Sequence, residues 1–209
     1  YRALTVEQFD DPEQEHEAAV QGMWVFLSTE VLFFGVLFAS YVISRFNHPE
    51  AFAVASNQTV LVIGTINTGV LLASSFTMAN AVRGAKLGNN KLTITCLLLT
   101  FILGLIFFIL KGIEYYKDYE DHVVPGLNLV HKGAQEIFWY LYFVMTGLHT
   151  LHLTIGLVTI IVITVMAWRK RFSIRYFTPV ELAGMYWSFI DIVWVFLYPT
   201  FYIVSRSTS

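Results

Sequence analysis

The chain of 209 residues is 56% hydrophobic and only 13% charged, with a mean hydropathy of +0.60 and a formal net charge of −2. Soluble domains carry about 25% charged residues, so the sequence lacks the polar surface to cover a soluble globule and is expected to face lipid. The near-neutral balance, with no basic stripe carrying interleaved aromatics, points away from nucleic acid, and one cysteine, Cys96, precludes a disulfide framework or a cysteine metal site.

Residues 1–22 form an acidic N-terminal tail whose only basic residue is Arg2. No cleavable signal is visible there, so the first apolar span is expected to act as the insertion signal. Crossing the hydrocarbon core takes about 20 mainly apolar residues, and five stretches meet that length: about 23–44, 58–82, 92–112, 137–168 and 182–204. The runs are continuous rather than alternating, which excludes a β-barrel. The expected fold class is all-α: a polytopic membrane domain of five transmembrane helices over 23–204, ending in a short tail, 205–209.

The connections differ in character. Residues 45–57 contain a His48-Pro49 turn, and 83–91 form a short Gly/Asn turn. Residues 113–136 read as the longest loop, tyrosine-rich and acidic, with a turn at Pro125-Gly126, and 169–181 are basic. The acidic stretch EYYKDYEDHVVPG does not fit a calcium loop and reads as a solvated face. No internal repeat supports a transporter built from inverted halves.

Orientation follows the placement of Lys and Arg. Arg2, Arg83, Lys86, Lys91, Arg169, Lys170, Arg171 and Arg175 fall on one side. Arg45, Lys111, Lys117, Lys132 and Arg206 fall on the other. The excess puts the N-terminus in the cytoplasm and the C-terminus outside.

Ionisable residues within spans are costly and demand a reason. Glu30, in the first span, is either a structural hydrogen-bonding group or a proton or lipid contact, with the two readings evenly balanced. His149 and His152, three apart in the fourth span, share a helical face and could ligate a metal or haem. Ligands on facing helices are scarce, so hydrogen-bonded packing is the favoured reading. Asp191, in the fifth span, is expected to accept bonds from the phenol and indole donors of Tyr186, Trp187, Trp194 and Tyr198. Asn67, Thr68, Asn80 and glycines 64, 69, 104, 147 and 156 suit close helix packing. Trp24, Tyr186, Trp187 and Trp194 are candidate interfacial anchors. No phosphate loop, catalytic triad or redox cysteine pair occurs.

Four blocks in order, STEVLFFG, EYY, TGLHTLHLTIG and YWSFIDIVWVFLY, resemble subunit III of the cytochrome c oxidase family over nearly the whole chain from Met23 onward. The resemblance implies a non-catalytic subunit of a haem–copper terminal oxidase in the respiratory chain of a bacterial inner membrane. It implies no haem or copper in this chain, those cofactors belonging to subunits I and II. It further implies packing on subunit I, contact with membrane phospholipid, and support of proton uptake and active-site stability, while membership of a larger respiratory supercomplex stays open.

By the same resemblance, Glu30 matches a buried acid near lipid, His149 and His152 a histidine pair, and Asp191 the acid of the last helix. Arg169, Arg171 and Arg175 are similar to head-group arginines. Two departures stand out: two helices of seven-helix members are missing, and Ser188 replaces a frequent histidine. A quinol oxidase subunit III is the sibling reading, and a membrane b-type haem protein is the alternative from a different class.

Overall fold

The computed structural model describes residues 12–59, 61–125, 133–169 and 177–203. Regular structure among the described residues is entirely helical: α1 (Pro12–Asn47), α2 (Pro49–Gln58), α3 (Leu61–Lys86), α4 (Asn90–Glu120), α5 (Ala134–Trp168) and α6 (Thr178–Tyr198). A π-helical turn, Pro199–Ile203, continues α6. Five of these helices are long and apolar enough to cross a membrane, and α2 is the short exception.

The helices begin and end where local chemistry dictates. α1 starts inside the stretch expected to be tail, with Glu13 and Glu15 in its first turn, where carboxylates favour the positive end of the helix dipole. α2 occupies the stretch expected to be the first loop, and Pro49 at its first position supplies a pre-set φ without losing a needed N–H. The helix α3 closes on Gly88, whose φ of +68° is easy only for glycine. Asn89 N–H reaches Gly84 carbonyl at 2.9 Å and Gly88 N–H reaches Ala85 carbonyl at 3.1 Å, the Schellman pattern. Asn89 then caps α4 by accepting from Leu92 N–H at 3.2 Å.

The largest departure from the expected layout is α4, which continues through Glu120 into the stretch read as loop. It ends in a second Schellman turn: Val123 N–H donates to Asp118 carbonyl at 3.1 Å and His122 N–H to Tyr119 carbonyl at 3.2 Å, with His122 left-handed at φ +55°.

The centre of the bundle is α6, whose apolar stretch is 56% buried inside the protein, against 17% for α1 at the periphery. Trp187 on α6 gathers three other helices. A Cβ on Gly104 of α4 would lie 2.9 Å from its ring and one on Gly156 of α5 would lie 3.1 Å away, while its indole N–H donates to Ser74 of α3 at 3.0 Å. Small residues thus let the backbones approach around one large ring. Gly64 sits equally close to Tyr202, whereas Gly69 and Gly147 face nothing within 4 Å. Tyr41 on α1 and Ser56 on α2 donate to the Thr200 and Phe201 carbonyls at 2.8 and 2.7 Å, satisfying acceptors that the π turn frees.

Candidate functional site: polar groups inside the bundle

Glu30 of α1 and His152 of α5 form a pair, with Glu30 Oε2 3.1 Å from His152 Nε2. His152 Nδ1 lies 2.8 Å from the Leu148 carbonyl, so that nitrogen carries a proton. Nε2 therefore faces the carboxyl, and this contact ties α1 to α5. Phe34 closes the pair from one side, with ring centroids 5.4 Å apart. The pair is not sealed: 21% of the Glu30 side chain remains exposed at the contact between α1 and α5.

His149 points elsewhere. Its Nε2 donates to the Ile190 carbonyl on α6 at 3.1 Å, and its ring packs against Phe107 and Trp194. The two histidines therefore serve different helices. To ligate a metal through Nε2, His152 would have to surrender its contact with Glu30; His149 offers only a buried Nδ1, which has no partner. No group of three or more His, Cys, Asp or Glu among the described residues is placed to hold an ion.

Asp191 departs from expectation. It is buried, but neither carboxyl oxygen has a hydrogen-bond partner. The four aromatic donors expected to serve it are committed elsewhere. Trp187 donates to Ser74 and Trp194 to Thr68, each at 3.0 Å. Tyr186 donates to the His152 carbonyl at 3.2 Å, and Tyr198 pairs with Thr65 at 2.6 Å. Trp187, Trp194 and Tyr198 share the Asp191 face of α6, but their donors are taken up by Ser74, Thr68 and Thr65 of α3, and that of Tyr186 by α5.

The anchor assignments also divide. Trp24 is exposed on α1, as an interfacial residue would be, but Tyr186, Trp187 and Trp194 are buried and pack the interior. Arg169 is exposed at the end of α5; Arg171 and Arg175 lie outside the described residues.

The most elaborate polar cluster draws Glu114 and Asp118 from the stretch expected to be a solvated loop. Lys111, Glu114 and Asp118 lie on the inner face of α4, all at least nine-tenths buried. The Lys111 ammonium donates to Glu114 Oε2, Tyr142 Oη and Tyr202 Oη, each at 3.0 Å, using all three N–H groups. Both phenols in turn donate to Glu114 Oε1, Tyr142 at 2.9 Å. Each hydroxyl thus accepts from the cation and donates to the anion, a closed charge-assisted ring. Tyr142 also presents its face to the ammonium at 4.7 Å. The spacing of Lys111, Glu114 and Asp118, three and then four apart, is the signal that could have placed them on one helical face.

A five-span helical bundle with a peripheral first helix and an internal ion pair defines a class: a polytopic α-helical membrane protein. The family profile of cytochrome c oxidase subunit III matches residues 13–206, and the chain belongs to that family. It is 27% identical over 199 residues to a probable quinol oxidase subunit 3 of Staphylococcus saprophyticus, covering 94% of this chain and 95% of that protein. A Staphylococcus aureus protein of the same description is 28% identical, with 96% of each chain covered. A cytochrome c oxidase subunit 3 of Oncorhynchus mykiss is 34% identical over 187 residues, covering 87% of this chain and 67% of that protein.

Proposed function

We propose that this chain is the non-catalytic subunit III of a haem–copper terminal oxidase in a bacterial inner membrane, packed on subunit I with subunit II as a further partner. Family membership across residues 13–206 carries the reading. The outer face of α1 supports it: Leu32, Val36 and Phe46 are exposed on the side of the helix away from Glu30, and the carboxyl on the bundle side is still 21% open. A polar group at such depth is expensive against bare lipid. Cover by subunit I, with phospholipid trapped between, accounts for its position. In this reading haem and copper reside in the partner subunits, and this chain sustains proton uptake and active-site stability.

The charge bias supports a cytoplasmic N-terminus. Lys111, counted with the opposite side in the sequence, is an interior cation, so its removal from that side sharpens the bias. Cytochrome c is the first reading for the electron donor of the complex. A quinol donor is the second, favoured by the nearly end-to-end match to the two Staphylococcus proteins named probable quinol oxidase subunit 3.

Purification through a tag on this chain tests the assignment. Haem–copper subunits should co-purify, and oxidation of reduced cytochrome c versus a quinol decides the donor. Purification without haem-bearing partners would contradict the reading.

A further inference from the structure

Where α2, α4 and α5 meet, a half-open cavity of about 330 Å³ is lined by Gln58, Asp118, Asp121, Val123 and Trp139. Two of its walls are unsatisfied in an informative way. Asp118 and Trp139 are 4% and 1% exposed, yet Asp118 Oδ2 and Trp139 Nε1 have no hydrogen-bond partner. Buried polar groups are almost always paired, so an acceptor and a donor on the walls of one cavity point to an occupant that serves both.

Charge narrows the identity of that occupant. Lys111 spends all three N–H groups on Glu114, Tyr142 and Tyr202. Lys111 and Glu114 balance each other, which leaves the two carboxylates of Asp118 and Asp121. No Lys, Arg or His among the described residues forms an ion pair with either one.

We propose that this cavity binds a hydrated divalent cation through the carboxylates of Asp118 and Asp121 and the side-chain carbonyl of Gln58. Ions of the magnesium class are held by one or two carboxylates and keep several waters. At roughly 30 Å³ per water, the cavity has room for the ion and its shell. Coordinated water accepts from the Trp139 N–H and donates to Asp118 Oδ2. A bare ammonium or guanidinium from another chain would satisfy the carboxylates but leave the indole without an acceptor. No three ligating acids or histidines converge among the described residues, so water must complete the shell, which disfavours soft metals that require nitrogen or sulfur ligands.

The test uses the terminal oxidase complex containing this chain, stripped with chelator and titrated with Mn²⁺ as a spectroscopic probe for the ion. Free Mn²⁺ is read by electron paramagnetic resonance. Asp121→Asn, at an exposed position, should weaken one Mn²⁺ site by roughly tenfold or more and leave the remaining sites of the complex unchanged. Asp118→Asn should abolish that site. Mg²⁺ should displace the ion in the wild-type complex, whereas K⁺ at equal ionic strength should not. Identical Mn²⁺ stoichiometry and affinity in wild type and Asp121→Asn would overturn the proposal, even if Asp118→Asn failed to assemble. Full displacement by K⁺ would also overturn it, by showing diffuse screening.

Discussion

Glu30 and His152 lie 3.1 Å apart across the α1–α5 contact, and the Leu148 carbonyl behind the imidazole fixes which of its nitrogens faces the acid. The pair joins the peripheral helix to the bundle. Glu30→Gln keeps a donor toward Nε2 and should leave assembly intact. Glu30→Ala strands Nε2 and should cost about 1–3 kcal/mol, read as a lower unfolding temperature and as lipid lost during purification. Equal stability of the Gln and Ala variants would count against the pairing.

Lys111 is more exacting. Lys111→Met removes the cation and leaves Glu114 buried without its counter-charge, a change that typically costs about 3–5 kcal/mol. Adding Glu114→Gln to Lys111→Met should recover much of that loss, because a neutral amide can still accept from Tyr142 and Tyr202. The double-mutant cycle, measured by thermal unfolding in detergent, checks the coupling. Additive losses would show that the two residues do not act together.

Trp187 supplies a packing test. Its ring fills the space left by Gly104 and Gly156. Trp187→Ala should destabilise by about 3–5 kcal/mol, and Gly104→Leu should be comparably harmful because the ring has nowhere to move. Gly147→Ala, where nothing lies within 4 Å, should be nearly silent in the same thermal assay.

Topology is open to chemical labelling. Cysteines placed at Leu87, in the exposed α3–α4 turn, and at His48, between α1 and α2, lie at opposite ends of α3. They should react with an impermeant reagent from opposite sides of sealed vesicles, while the buried Cys96 stays silent. With a cytoplasmic N-terminus, His48 labels from outside. Reaction of both from one side would refute the five-span arrangement.

Hydropathy made the five spans legible, because each is a long apolar run that no loop could imitate. It failed at the ends, where helices carry charge. The EYYKDYE segment looked solvated since tyrosine, acid and lysine are interleaved, but at helical spacing Lys111, Glu114 and Asp118 turn inward together. Glu30, His149, His152 and Asp191 were visible as costly residues. Their partners were not, because a hydrogen bond such as Glu30 to His152 spans residues far apart in the chain. Asp191 was misjudged for the opposite reason. Three of its aromatic neighbours share its face of α6, yet their donors are already taken by Ser74, Thr68 and Thr65 of α3.

In the proposed role, this chain sustains a catalytic partner without performing the chemistry. The most direct measurement is oxygen consumption by the terminal oxidase complex before and after this chain is removed, followed over many turnovers. Haem and copper should stay with the remaining subunits, the initial rate should largely survive, and activity should then decay far sooner than in the intact complex. Immediate loss of the initial rate, with iron or copper leaving together with this chain, would contradict it.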